Sequence, residues 1–365
     1  MADLVIHASS IMNLKSHNPH NDLQYWLNCI HWEIYFENGS GIIKGPDIES
    51  KSSISFEFNT NAIVPAARPD DTFYSMLGLF QLNLPLWDTE QDLHYAIEQI
   101  IVDLTDVKYV NPTGILRTIL LCQILHKKFG KKLILLLPEN DPSQQFYIWI
   151  QYTDFLNMLD GIINIKGERQ VPRIKQKDQG TVFVYEIYSE RDVVKTLGFL
   201  EKLYNTSHGI CHKDFDIYTI LSEFCQNIYQ HSNPGNNPYG YVAGQFNGFS
   251  LEFDVMDLGI GIPASLKSKF QFRDDDEAIR LAFKPGVSSK NSAGIGLPRT
   301  LEIVKQANGH MNVCSGNARA IINTDWDYIV HNIRYYHKDH DYGSSPFQGT
   351  QVGIIISRIS NRVLW

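Results

Sequence analysis

Residues 216–231 carry two periodic rows on one predicted helix. Ile217, Ile220, Leu221, Phe224 and Ile228 recur at helical spacing and form an apolar stripe that must be buried against another element. Glu223, Asn227 and His231 recur four apart and line the neighbouring face. The helix therefore has to lie on a core while holding one edge open to polar chemistry. A carboxylate and an amide one turn apart suit two tasks: taking a proton from an attacking water or hydroxyl, and holding Mg²⁺ through an amide oxygen. The same pattern also fits a solvated flank beside a core stripe.

Two later segments narrow the choice. Residues 251–257 alternate as a strand and then break into Asp257-Leu-Gly259-Ile-Gly261-Ile-Pro263. A carboxylate at a strand end can accept a hydrogen bond from the exocyclic amine of adenine, and the glycines let the backbone approach a base closely. By itself this is also a plain strand-to-loop turn. Further on, Lys284 opens a loop that reaches Lys290 and then Gly294-Ile-Gly296-Leu297-Pro298, before a helix with Leu301, Ile303 and Val304 as apolar positions. A glycine-rich loop entering a helix presents unsatisfied N–H groups and a positive dipole end, which suits phosphate. Lys290 would add a point charge for a γ-phosphate. Read alone, the piece is a helix with a flexible leader. The chain has no GxxxxGK[ST], so the P-loop route to phosphate binding fails.

Taken in order, these motifs resemble the GHKL ATPases (gyrase, heat-shock chaperone, histidine kinase, MutL). Glu223-x3-Asn227-x3-His231 is similar to the family's first box, Asp257-x-Gly259-x-Gly261 to its second and Gly294-x-Gly296-Leu297 to its third. Gly349-Thr350, before the apolar run 352–356, is similar to its last. Asn308-Gly309-His310 resembles the turn after the lid helix. The resemblance implies an ATP-binding domain over 181–365, a two-layer α/β Bergerat-type (histidine-kinase-like) fold with helices on one face of a mixed sheet. It implies ATP and Mg²⁺ as cofactors. Glu223 would be the general base, Asn227 the Mg²⁺ ligand, Asp257 the adenine contact, and Gly259 and Gly261 the base-binding loop. Gly294, Gly296 and Leu297 would form the phosphate lid, Thr350 would support the adenine, and His231 would make a structural hydrogen bond.

Ahead of this, residues 94–165 alternate strand and helix: strands at 99–104, 132–137 and 161–165, helices at 112–129 and 143–159, with Ile115, Ile119, Leu120 and Ile124 on one face of the first. Alternation of this kind implies parallel strands with helical crossovers. The run from Gln99 through Asp103, Thr105 and Asp106 to Pro112-Thr113-Gly114 resembles the STAS domain of anti-sigma-factor antagonists. That family's partner-switching members are phosphorylated on a serine in this turn. Here Pro112 stands at that place and Thr113 is the nearby hydroxyl, whose other role is to cap or start the helix. The fold class expected is thus α/β, a STAS-like domain followed by the ATPase domain. The polar segment 167–180 would link them. Residues 1–93 would belong to the first domain, with short strands at 32–36 and 53–58 and a loop at 59–72.

Composition sets outer bounds. At 365 residues the chain suits two domains of about 100–200 residues each. A net charge of −8 argues against bulk attraction to nucleic acid or anionic membranes, although a local basic patch at 166–177 stays open. The five cysteines lack a CxxC pair and read as buried free thiols, and with no signal peptide or apolar span the expected location is the cytoplasm. His208-Gly-Ile-Cys211-His212 lacks the second cysteine of a haem motif and reads as a loop. The acidic run 273–277 reads as a helix amino terminus, with metal binding as its alternative. Segment 317–347 departs from the family as an insertion: an extra hairpin or a partner surface. It includes His337, His340 and Asp341, read as loop polarity over metal binding.

Three functions follow from the resemblance. One is a regulatory ATPase or kinase-like switch whose lid ordering changes contacts with a protein partner, made through the STAS-like region or the insertion. Another is a serine/threonine or histidine protein kinase acting on a separate partner. The last is an ATP-gated dimerising clamp in DNA transactions or phage defence, a possible homodimer. A binding-only pseudoenzyme is the further alternative, against which the Glu223/Asn227 pair argues.

Overall fold

The structure, a computed structural model, describes residues 2–10, 30–37, 54–57, 97–107, 110–138, 145–166, 181–206, 217–231, 240–246, 250–257, 259–288, 296–306, 309–322, 329–332, 335–337, 340–342 and 347–357. Helices combine with both parallel and antiparallel strands in an α/β architecture. The segments 59–72, 167–180 and 208–212 discussed above lie outside the described residues.

Six strands form the first sheet: β1 (Ala2–Ser10), β2 (Ile30–Glu37), β3 (Ile54–Glu57), β4 (Ile97–Asp106), β5 (Leu133–Leu136) and β6 (Ile163–Lys166), in the order β3-β2-β1-β4-β5-β6. β4, β5 and β6 pair in parallel, and the chain between them runs through α1 (Pro112–Phe129) and α2 (Gln145–Tyr152). β1 has no counterpart in the sequence reading. It pairs in parallel with β4 and antiparallel with β2, so it joins the amino-terminal strands to the α/β part of the sheet.

The second sheet comprises β7 (Thr181–Ile187), β8 (Gly240–Phe246), β9 (Ser250–Asp257), β10 (His310–Gly316), β11 (Ala318–Ile322), β12 (Ile329–Asn332) and, beyond the hairpin β13 (Tyr335–His337) and β14 (His340–Tyr342), β15 (Phe347–Ser357). Its order is β12-β11-β10-β15-β9-β8-β7, and every neighbouring pair is antiparallel. The mixed sheet expected for this part of the chain is thus corrected: among the described residues the parallel pairing is confined to the first sheet. The physical reason is that each return here enters from the opposite end, by hairpin or by helical excursion, rather than by a crossover to the same end. Segment 317–347 resolves in part into β11, β12 and the β13–β14 hairpin. The helices of this part are α3 (Glu190–Thr206), α4 (Ile217–His231), α5 (Gly261–Leu266), α6 (Asp275–Ala282) and α7 (Gly296–Gln306).

Strand alternation gives the second sheet two covered faces. On one, Phe183, Val242, Phe253, Val255, Val313, Val352 and Ile354 pack with Ile220, Leu221, Phe224 and Ile228 of α4 and with Ile303 and Val304 of α7. On the other, Val182, Val184, Tyr241, Ala243, Met256 and Cys314 share a core with α1, α2 and strands of the first sheet. α1 lies between the two sheets. It is buried from Thr113 through Cys122 without a solvent side, so the one-face reading of this helix gives way to burial all round. Cys122, Cys225 and Cys314 are buried free thiols, and burial pushes the first two up to about 12.

The helix–sheet contact contains a polar network. Thr113 Oγ1 donates to Asp254 Oδ2 at 2.6 Å, and Gln351 Nε2 donates to the same oxygen at 3.0 Å. Arg117 Nη2 donates to Gln351 Oε1 at 2.9 Å. Nearby, Tyr241 Oη donates to Gln123 Oε1 at 2.7 Å. Thr113 therefore does not cap α1; Asn111 does, accepting from Gly114 N at 2.8 Å, and Pro112 opens the helix. Burial pushes the Asp254 carboxyl up to about 6, against the opposing pull of Thr113, Gln351 and the guanidiniums of Arg117 and Arg319.

A carboxyl raised on folding favours the protonated native state. Its contribution is greatest below the unfolded value near 3.8 and declines as pH rises to about 6. The expected total is on the order of 2–3 kcal/mol. Asp254→Asn should abolish this component, so the stability difference between variant and wild type, from urea unfolding at successive pH values, should change between about pH 4 and 6 and be flat above. A difference that stays constant through that window would contradict the assignment.

Candidate functional site

The Glu223 face of α4 meets the start of α7. The buried stripe of Ile220, Leu221, Phe224, Cys225 and Ile228 presses α4 onto the sheet and leaves Glu223 and Asn227 half-buried along its edge. At Gly296, the first residue of α7, an added Cβ would lie 2.7 Å from Glu223 Oε2. The carboxylate is thus in direct contact with the amino end of α7, where backbone N–H groups have no intrahelical acceptor. Leu297 packs against the core, while Pro298 is buried within the first turn. His231 is the last residue of α4. Lys290 and Gly294 lie outside the described residues.

α4 can approach the sheet closely because β8 begins with a glycine. A Cβ on Gly240 would meet Met256 O at 2.5 Å and Ile228 Cγ2 at 2.7 Å. Gly240 stands opposite Asp257 in the β8–β9 register. Ile228, the residue after Asn227, therefore sits over the strand end that carries Asp257.

Asp257 is buried, and its Oδ1 accepts from Gly259 N at 2.7 Å, which turns the chain sharply as it leaves β9. Across the sheet Asp257 pairs with Thr350, and Thr350 pairs on its other side with Ser315. Gly261 has φ +76°, and a Cβ there would meet Ser315 Oγ at 2.7 Å and Gly349 O at 2.8 Å. Gly349 also has positive φ, 98°. The start of α5 and the irregular stretch of β15 at Gly349 are therefore packed backbone to backbone, a requirement glycine meets.

The acidic run forms a cap and a latch. Asp274 caps α6 by accepting from Glu277 N at 3.0 Å, and Glu277 Oε2 accepts from Arg273 N at 2.7 Å. Asp275 Oδ2 accepts from Asn317 N at 2.7 Å and Asn317 Nδ2 at 3.0 Å, tying α6 to the β10–β11 turn. Among the described residues no group of three or more His, Cys, Asp or Glu is arranged to hold a metal ion, and no helix is long and apolar enough to cross a membrane.

Two clusters thus emerge from the sequence candidates: Glu223 with Gly296, and Asp257 with Gly259, Gly261 and Thr350. The sequence reading missed Gly240 and Ser315. Ser315 had a signal, a hydroxyl at the strand position that continues the core-facing alternation of Met311 and Val313. The chain matches no protein-family model and no curated protein.

The two kinds of glycine contact separate by substitution. Gly261→Ala forces a β-carbon onto a backbone carbonyl at a positive φ, and is expected to destabilise the fold by about 2 kcal/mol or more. Gly296→Ala meets only the mobile tip of Glu223 and should change stability by less than about 1 kcal/mol while displacing that carboxylate. Urea unfolding of both variants checks the contrast; equal losses would overturn it.

Proposed function

We propose that residues 181–365 form an ATP-binding domain of the GHKL type, and that the chain is a Mg-ATP-dependent regulatory ATPase or kinase-like switch. The observation that carries this reading is the contact of Glu223 with Gly296. It brings a potential base to the amino end of a helix that a glycine-rich segment enters, over the same sheet in which Asp257 pairs with Thr350.

The residues suit the nucleotide in kind. Asn227 would supply an amide oxygen to Mg²⁺, a hard ion that retains several waters. The backbone N–H groups of Gly296 and Leu297 at the start of α7 would face phosphate oxygens, helped by Lys290 and the backbone at Gly294. Asp257 would accept from the adenine amine, with Gly259 and Gly261 lining the base and Thr350 supporting it. Bound Mg²⁺ would neutralise charge on the phosphates. Glu223 would accept the proton of the attacking water or hydroxyl.

The first sheet with α1 and α2 fits the STAS-like reading in its parallel β4-β5-β6 arrangement. A phospho-switch at Thr113 gains no support: the side chain is 3% exposed and bonded to Asp254. In our reading the switch instead works through nucleotide-dependent ordering of the lid around 284–297. A protein partner would be engaged through the first sheet's unit or the 317–347 segment.

Incubation with γ-labelled ATP and Mg²⁺ tests the proposal. Label released as phosphate indicates hydrolysis, and label retained on protein indicates a kinase. Asn227→Ala is expected to lose Mg-dependent binding. Glu223→Ala should retain binding and lose turnover by about 10²–10⁴-fold. Normal turnover by Glu223→Ala would remove the base assignment, and unchanged adenine-nucleotide affinity in Asp257→Asn would remove the adenine contact.

A further inference from the structure

We infer that Ser315 is a positioning residue for the base-binding end of the site, an inference that rests on the nucleotide reading above. A hydroxyl has one proton to donate and two lone pairs. Ser315 Oγ donates to Gly349 O at 2.6 Å and accepts from Ile262 N at 2.8 Å, with Thr350 Oγ1 at 3.3 Å. One fully buried atom thus binds the first turn of α5, which follows Asp257, to the stretch of β15 that precedes Thr350.

The surrounding backbone makes this link decisive. Gly261 and Gly349 both take positive φ, and a single added carbon on Gly261 would meet the hydroxyl and the Gly349 carbonyl together. Three chain segments converge there with no room to slide. Ser315 also occupies a core-facing register position, after Met311 and Val313, where packing alone would be served by an apolar side chain. Asp257, Gly259, Gly261 and Thr350 are all held by this junction or by residues adjoining it. The Glu223–Gly296 contact is not. The hydroxyl therefore sets the geometry offered to the base and leaves the phosphate end alone.

The test uses the full chain and measures ATP, ADP and GTP affinities by titration calorimetry, with circular dichroism confirming the folded fraction. Ser315→Ala is expected to weaken ATP and ADP equally, by about tenfold, and to narrow the preference for ATP over GTP. The ATP-to-ADP ratio should hold. A purely structural role would lower the melting temperature without moving base preference. Ser315→Cys keeps a weak donor on a slightly larger side chain, and should lose about threefold; it carries the test if the alanine variant does not fold. Wild-type affinity and base preference in a folded Ser315→Ala, or in Ser315→Cys where alanine does not fold, would overturn the inference while leaving the nucleotide reading intact. A wild-type protein that binds neither ATP nor ADP would overturn both.

Discussion

Helix α1 is held between two sheets, and the arrangement of everything else follows from that. Ile115, Leu116, Ile119, Leu120, Leu121 and Leu125 are all fully buried. At about 1.5–3 kcal/mol for each such side chain, their burial outweighs the few kcal/mol lost in enclosing Asp254. The helix thereby serves as crossover for the first sheet and as cover for the second. Polar residues on it find partners across the contact: Thr113 meets Asp254, Arg117 meets Gln351, and Gln123 meets Tyr241. Such a network adds directionality to a contact that apolar burial alone would leave free to slip.

That contact bears on the candidate site because the same strands serve both faces. On β9, Asp254 points to α1, and Asp257, three residues on, ends the strand at the opposite face. On β15, Thr350 pairs with Asp257 and the next residue, Gln351, reaches Asp254. The back of the sheet is thus anchored where its front carries the adenine-side candidates. Glycine then decides how near the other parts come. Gly240 lets α4 down onto the sheet, Gly296 admits the Glu223 carboxylate, and Gly261 lets the start of α5 touch β15. At Gly240 and Gly261 a methyl group would press on backbone and separate the elements, whereas at Gly296 it would displace the carboxylate.

Much of this was legible in the residues. The stripe of Ile220, Leu221, Phe224 and Ile228 predicts both the helix and its buried side, since helical period and hydrophobicity are local properties. Parallel pairing of β4, β5 and β6 followed from strand and helix alternating along the chain. β1 was not legible, because its parallel partner β4 lies far along the chain and its own residues carry only a weak alternation. The burial of α1 all round was missed for a similar reason: Arg117 looks like part of a solvent face until Gln351 arrives from the second sheet, and Thr118 does so until its hydroxyl turns to Gly114 O of its own helix. Thr113 looked like a cap because it neighbours one. The bond it makes depends on a residue 141 positions away.

By itself, the sequence determined the elements and the chemistry available to them: a helix edge bearing Glu223 and Asn227, a strand ending in Asp257 and two glycines, and a glycine-rich loop through Gly294 and Gly296 running into a helix. These depend on period, side-chain type and turn preference, which act over a few residues. Only the tertiary structure decided which of them touch. It brought Glu223 to Gly296, set Asp257 beside Thr350 and made Ser315 the junction between α5 and β15. It also turned the second sheet antiparallel throughout. Such pairings are set by packing between distant segments, where a van der Waals contact or a single hydrogen bond selects one register among several that local preference allows equally.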